Sequence, residues 1–234
     1  MILDSINMRG EAPLWLAAAE GHHAVVDALL SADSTWVGKR DNKGATPFWI
    51  AACNGHTKVV KALANFASDT YIVDVNRRDK SGMTTLDITV LKGHESTLLC
   101  LLENPQVWID PLVLNPLLWK AAREGHAEVV GVLAGLNMAI VNYINLKDAF
   151  KRTPLLIALY SRHSATVRAI LRGGRVDPSI PDATDNLAVN VAAAFGFKDI
   201  VVLLERATTR FVKRGARRDG VTWLVSRGFL RAWI

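Results

Sequence analysis

The amino-acid sequence predicts an all-α protein, a repeat solenoid of about six helix-turn-helix units, and three observations predict it. One string recurs as Ala17-Ala18-Ala19-Glu20-Gly21-His22, Ala51-Ala52-Cys53-Asn54-Gly55-His56 and Ala121-Ala122-Arg123-Glu124-Gly125-His126, and Gly93-His94 repeats its end. Arg162-His163 and Gly196-Phe197 extend the register, so successive copies fall 34, 38, 32, 37 and 34 residues apart. Behind each copy runs an apolar stripe at helical spacing, as in Val59, Val60 and Leu63. A period of this size marks units that bury their apolar faces only by stacking on neighbours.

The second unit shows the local causes best. Asp41-Asn42-Lys43-Gly44 is a turn, with Gly44 free to take positive φ. Thr46 is placed to cap the first helix with its hydroxyl, and Pro47 occupies the first helical position, where a missing N–H is harmless. Ala51 and Ala52 let neighbouring helices approach, and Gly55 ends the helix in the left-handed conformation. The second helix then begins, with Val59, Val60 and Leu63 on its buried side.

Thr46-Pro47-Phe48-Trp49-Ile50-Ala51-Ala52 and Gly55-His56-Thr57-Lys58-Val59-Val60 resemble the ankyrin repeat, and the resemblance covers roughly Asn7 to Glu205. The first unit matches through Gly10, Ala12-Pro13-Leu14 and Gly21-His22. The third matches through Asp79, Gly82, Thr84 and Gly93-His94, and the fifth through Asp148, Thr153-Pro154-Leu155 and His163. The fourth and sixth are degenerate: Pro116-Leu117 and Leu187-Ala188 replace Thr-Pro. Lys151 and Asp185 stand where the turn glycine belongs, so those turns are expected to be remodelled. The family's histidine in the Thr-Pro-Leu-His string is absent. Trp15, Trp49 and Trp119 replace it in three units and are expected to fill the groove between first helices, while Asp87, Leu156 and Asn190 stand in the others. Extra residues near Ala67 to Val75 and Leu136 to Tyr143 lengthen two loops. The domain boundaries that follow are 1–205 for the ankyrin-type solenoid and 206–234 for a basic C-terminal tail or a decayed capping repeat, with Asp219-Gly220-Val221-Thr222 where a seventh turn would begin.

With 234 residues, half of them hydrophobic, the chain buries a sizeable core, which excludes disorder throughout. The net charge of +6 belongs to the tail: residues 206–234 hold eight basic residues and Asp219, leaving 20 basic against 21 acidic residues in 1–205. Nucleic acid is therefore not an expected partner of 1–205, and the tail run Lys213-Arg214-Gly215-Ala216-Arg217-Arg218 reads first as a solvated segment, then as an import signal, and last as a weak polyanion contact. Two cysteines suit a reducing compartment, and no apolar run reaches the roughly 20 residues of a membrane span, so no membrane partner and a cytoplasmic or nuclear location are expected.

Candidate chemistry is sparse. Five of six histidines (His22, His56, His94, His126 and His163) share one repeat position, where the resemblance implies that they satisfy backbone groups in the turn between helices. His23 is an exposed neighbour without ligands at metal spacing. Cys100 reads as a small buried hydrophobe. Cys53 is expected to face the groove, with no base to activate it. No phosphate loop or nucleophile elbow occurs. The chain is expected to be no enzyme, without cofactor or metal, and a monomer.

In ankyrin-like folds partners are gripped by turn tips and the exposed ends of first helices. Those positions here include Lys43, Lys80, Met83, Leu91, Lys92, Phe150, Arg152, Tyr160 and Phe195. Phe150, Tyr160 and Phe195 are candidate anchors, since exposed aromatics dominate interface energetics, and packing of Tyr160 and Phe195 on the next unit is the alternative. The resemblance thus implies a non-catalytic protein-protein interaction module that binds a partner protein on its concave face. The alternative is a small nuclear transcription co-regulator acting through protein contacts.

Overall fold

The computed structural model describes residues 6–66, 76–104, 111–136, 143–173 and 175–219. They form an all-α protein of paired helices that divide into two compact units, Met1–Asp110 and Pro111–Ile234. The first unit holds α1 (Pro13–Ala19), α2 (His23–Ala32), α3 (Pro47–Cys53), α4 (Thr57–Asn65), α5 (Thr85–Lys92) and α6 (Glu95–Leu102). The second holds α7 (Pro111–Glu124), α8 (Ala127–Gly135), α9 (Pro154–Tyr160), α10 (Ser164–Arg172), α11 (Ala188–Ala194) and α12 (Lys198–Asp219).

The first helices start as their residues dictate. Thr46 sits extended before α3 and its hydroxyl accepts a hydrogen bond from Trp49 N at 3.1 Å, with Pro47 in the first turn. Thr153 caps α9 in the same way. Thr84 and Asp87 form a reciprocal capping box at α5: Asp87 N donates to Thr84 Oγ1 at 3.1 Å, and Thr84 N to Asp87 Oδ2 at 3.0 Å. In the first unit α1 packs on α3 and α3 on α5, while α2, α4 and α6 form the layer behind. Ala51, Ala52, Val59, Val60 and Leu63 are all fully buried, so the alanine pair and the stripe do what their spacing predicts. In the second unit α7, α9 and α11 make one layer and α8, α10 and α12 the other. Helix α9, covered on both sides, is buried from Pro154 to Leu159.

Gly55 shows why the Gly-His pair recurs. Its φ is +75°, and a Cβ added there would stand 2.7 Å from Nδ1 of His94, the histidine of the following unit. The left-handed backbone and the space filled by the neighbouring ring both demand glycine.

Two expectations change. Lys151 and Asp185 do not remodel their turns: they take φ of +57° and +60° and keep the conformation that Gly44 adopts at +84°. Surrounding hydrogen bonds outweigh a strain of about 1–2 kcal/mol for an L-residue there. The first helix of the fourth hairpin also begins at Pro111 rather than at Pro116-Leu117, so Pro116 lies inside α7 and forgoes one intrahelical hydrogen bond. Helix α12 runs unbroken through Glu205 to Asp219, which carries the backbone of the basic run 213–218. The lengthened loops at 67–75 and 137–142 and the seventh turn beyond Asp219 lie outside the described residues.

Candidate functional site

Four turns that precede first helices are each held by a carboxylate turned inward, and before α1 the Asn7 amide oxygen takes the same role, accepting from Arg9 N and Glu11 N. Asp41 Oδ1 accepts the backbone N–H groups of Lys43 at 2.9 Å and Ala45 at 2.7 Å. Asp148 Oδ1 does the same for Phe150 and Arg152, and Asp182 Oδ1 for Thr184 and Asn186. Asp79 accepts from Met83 N at 2.8 Å and from the Ser81 hydroxyl. In the first unit consecutive tips are tied by backbone: Asn42 N donates to Arg9 O and Lys80 N to Lys43 O, each at 2.9 Å. Lys43, Lys80 and Lys92 are exposed, and Met83 and Leu91 are half-buried. The Met83 carbonyl also accepts the indole N–H of Trp49 at 3.3 Å.

The second unit presents a different surface on the same turns. Phe150 stands 67% exposed at a tip, and the Arg152 guanidinium lies over its ring at 4.8 Å. Arg152 is held there by its ion pair with Asp148 at 2.8 Å. Burial would raise the Asp148 carboxyl, but the hydrogen bonds and charge of Arg152 outweigh it and lower its pKa. Tyr160, at the end of α9, donates its hydroxyl to Asp182 Oδ2 at 2.5 Å. That bond, joined by the Thr184 and Asn186 N–H groups, holds the Asp182 carboxyl far below the usual range. Burial, and then the same carboxylate, raise the Tyr160 phenol. Phe195 meets Tyr160 edge-on at 6.3 Å and Phe197 at 6.1 Å, and Arg162 lies over its ring at 4.7 Å.

The structure therefore brings Phe150 to Arg152, and Tyr160 to Phe195. It adds three residues that the sequence did not single out. Asp182 had a signal, standing 34 residues after Asp148. Phe197 occupies the repeat's histidine position, and Arg162 takes its glycine position at φ +61°.

The family model for ankyrin repeats (3 copies) matches residues 14–115. Residues 14–115 thus match ankyrin repeats, and the described chain has the ankyrin repeat fold. Its fold is similar to an ankyrin repeat domain from Acinetobacter baumannii AYE, at 23% identity and a TM-score of 0.64, covering 83% of this chain and 97% of that one. The ankyrin repeat protein EF0377 matches at 24% identity and 0.64, covering 86% and 98%. The ankyrin repeat domain of human ASB11 matches at 22% identity and 0.65, covering 84% of each chain. No curated protein matches significantly. Ankyrin repeat domains are generally protein-protein interaction modules and typically non-catalytic.

Three histidines of the repeat position serve the scaffold. His56 Nε2 lies 2.9 Å from Ala19 O, His94 Nε2 2.9 Å from Cys53 O, and His163 Nε2 3.0 Å from Arg123 O. Each ring thus satisfies a carbonyl at the end of the preceding first helix. Trp15 is buried in the first-unit core, and Trp119 donates its indole N–H to Leu146 O at 3.2 Å. Cys53 is half-buried beside Lys92, and burial raises its thiol pKa against the lysine's pull. Cys100 is half-buried rather than enclosed, because it lines a shallow groove with Lys61 and Glu103 between α4 and α6. Its thiol is likewise raised by burial, so neither cysteine is an activated nucleophile. Among the described residues no three His, Cys, Asp or Glu side chains gather for a metal ion, and no helix is long and apolar enough to cross a membrane.

Proposed function

We propose that this chain is a non-catalytic adaptor that grips a partner protein with its turn tips and first-helix ends. In the first unit the gripping residues are Lys43, Lys80, Met83, Leu91 and Lys92, and in the second Phe150, Arg152, Tyr160 and Phe195. The observation that carries this reading is Phe150. A large apolar ring stands in solvent at the apex of a turn whose backbone is fixed by Asp148 and whose orientation is fixed by Arg152. An aromatic held rigid and exposed loses little ordering entropy on binding. The half-buried Tyr160 and Phe195 extend that surface while also bracing one another.

The test is affinity capture with mass spectrometry, comparing the intact chain with Phe150→Ala and with Lys58→Ala, an exposed position on α4. The expected result is a partner retained by Lys58→Ala and lost by Phe150→Ala, with affinity reduced about tenfold or more in a purified pair. Equal retention by both variants overturns this reading.

A nuclear co-regulator is a second reading, supported by the exposure of Arg206, Arg210 and Lys213 along α12. Replacing Lys213, Arg214, Arg217 and Arg218 by Gln should then abolish nuclear enrichment of a tagged chain. Unchanged distribution ends that reading.

A further inference from the structure

We propose that the turn edge of the first unit is a docking surface for an acidic segment of the partner protein. This rests on the interaction reading above and names the chemistry of what is bound. The near-neutral charge of residues 1–205 conceals a segregation that only the folded chain displays. Arg9 on the first turn, Arg40 and Lys43 on the second, and Arg77, Arg78 and Lys80 on the third are all exposed.

Every carboxylate on those turns is turned inward onto neutral donors, which leaves the cations as the exposed charge. Glu11 accepts from Asn7 Nδ2 at 2.7 Å, Asp41 accepts two backbone N–H groups, and Asp79 accepts from Met83 N and Ser81. None of the three is exposed. Arg40 donates to Arg78 O at 3.0 Å and Arg78 to Gly82 O at 2.6 Å, so both guanidinium groups are fixed at the edge, Arg78 also lying 3.9 Å from the Asp87 carboxylate. Arg9, Lys43, Arg77 and Lys80 make no ion pair among the described residues. The backbone bonds from Asn42 to Arg9 and from Lys80 to Lys43 keep the three tips in one row. By contrast, α2, α4 and α6 carry Asp27 and Glu95 against Lys58 and Lys61, with Glu103 just beyond α6, which is near balance.

A row of exposed cations in which Arg78 alone has a carboxylate partner among the described residues attracts any polyanion, and the rest of the edge selects among them. Single-stranded nucleic acid needs stacking platforms, and no exposed residue on these three turns is aromatic. Reading a duplex needs an element that enters a groove, and on this edge the first helices begin only after the turns, at Pro13, Pro47 and Thr85. A run of glutamate or aspartate side chains needs only the row of cations, with half-buried Met83 beside it for an apolar neighbour.

The test is fluorescence anisotropy on the full chain with a short labelled Glu-rich peptide, its Gln counterpart, single-stranded and duplex oligonucleotides, and vesicles of phosphatidylcholine with phosphatidylserine. The tip variant Lys43→Glu/Arg77→Glu/Lys80→Glu is set against a charge-matched control, Lys58→Glu/Lys61→Glu/Arg206→Glu. Circular dichroism checks folding, and Lys43→Gln/Arg77→Gln/Lys80→Gln replaces the tip variant if reversal unfolds it. The expected result is salt-sensitive binding of the Glu peptide, about tenfold weaker in the tip variant and nearly unchanged in the control. Three results overturn the proposal: equal loss in both variants, retention in the tip variant, or tighter binding of an oligonucleotide or vesicle than of the Glu peptide. A captured partner lost with Phe150→Ala but kept by the tip variant overturns this inference alone and leaves the adaptor reading standing.

Discussion

The two units use the same turns to opposite ends. In the first, Asp41 and Asp79 disappear into the turns and leave lysine and arginine side chains outside. In the second, Asp148 and Asp182 keep the backbone role but spend their outer oxygen on Arg152 and Tyr160, which fixes the side chains around Phe150 and Phe195. The inner carboxylate oxygen maintains the scaffold and the outer one decides how rigid the surface is. A scaffold separated from its surface in this way accepts charge in one unit and aromatic rings in the other without changing its backbone.

The largest expected effect breaks the scaffold itself. Gly55→Ala must place a Cβ within 2.7 Å of the His94 ring while holding φ near +75°. Left-handed strain alone is about 1–2 kcal/mol, and displacement of the histidine adds a lost hydrogen bond of about 1 kcal/mol. Thermal denaturation should show a loss of about 2–3 kcal/mol. The second unit supplies the contrast, because Arg162 already tolerates φ of +61° at the equivalent position. Arg162→Gly should relieve strain but lose the stack on Phe195, leaving stability within about 1 kcal/mol of the parent. A loss in Gly55→Ala no larger than the left-handed strain of about 1 kcal/mol, with a gain in Arg162→Gly, would show that conformation rather than the histidine contact governs this position.

Next comes Asp182. Asp182→Ala removes two backbone hydrogen bonds and the Tyr160 bond from a buried carboxylate, and a loss of about 2–3 kcal/mol is expected in a denaturant titration. Asp79→Ala, at a half-buried turn without a phenol partner, should lose only about 1 kcal/mol. Similar values at the two sites would mean that the outer oxygen contributes nothing.

Acid sharpens the same comparison. Asp182 and Asp148 titrate lower in the folded chain than in the unfolded one, where an aspartate sits at about 3.9. Each therefore contributes stability that is complete above that value and declines as pH falls toward the folded-state pKa. Unfolding followed by circular dichroism from neutral pH into strong acid should show a steeper loss below about pH 4 in the parent than in Asp182→Asn. Tyr160→Phe should lie between them, since the phenol is the foremost cause of the Asp182 shift. Superimposable acid curves would remove Asp182 from the account of acid stability.

What could be read beforehand follows the physics of repetition. Histidine roles, glycine stops, the Thr46 cap and the buried stripe were legible because each recurs and each has a cause within a few residues. Lys151 and Asp185 misled because the turn's own hydrogen bonds, from Lys151 N to Asp148 O and from Asp185 N to Asp182 O, hold a non-glycine residue at positive φ where the pattern calls for glycine. The start of α7 misled because Pro116-Leu117 mimics a helix opening, while Pro111 offers an earlier one. The Tyr160–Asp182 bond joins side chains 22 residues apart on separate elements, so only their rotamers reveal it. The cationic edge was hidden by a charge count that treats a carboxylate inside a turn as equal to one in solvent.

The smallest expected effect on stability falls at the exposed ring. Phe150 gives up little apolar burial when truncated, and its stack with Arg152 at a solvent-facing site is worth about 0.5–1 kcal/mol. Phe150→Ala should therefore leave the melting curve almost unmoved, with a change of at most about 1 kcal/mol, even though it is expected to have the largest effect on partner affinity. Phe195→Ala should show both effects, because its ring also supports Tyr160 and Phe197. If Phe150→Ala instead unfolds the chain as readily as Phe195→Ala, the ring at the tip belongs to the scaffold, and the division between inner support and outer surface fails in the unit where it is most visible.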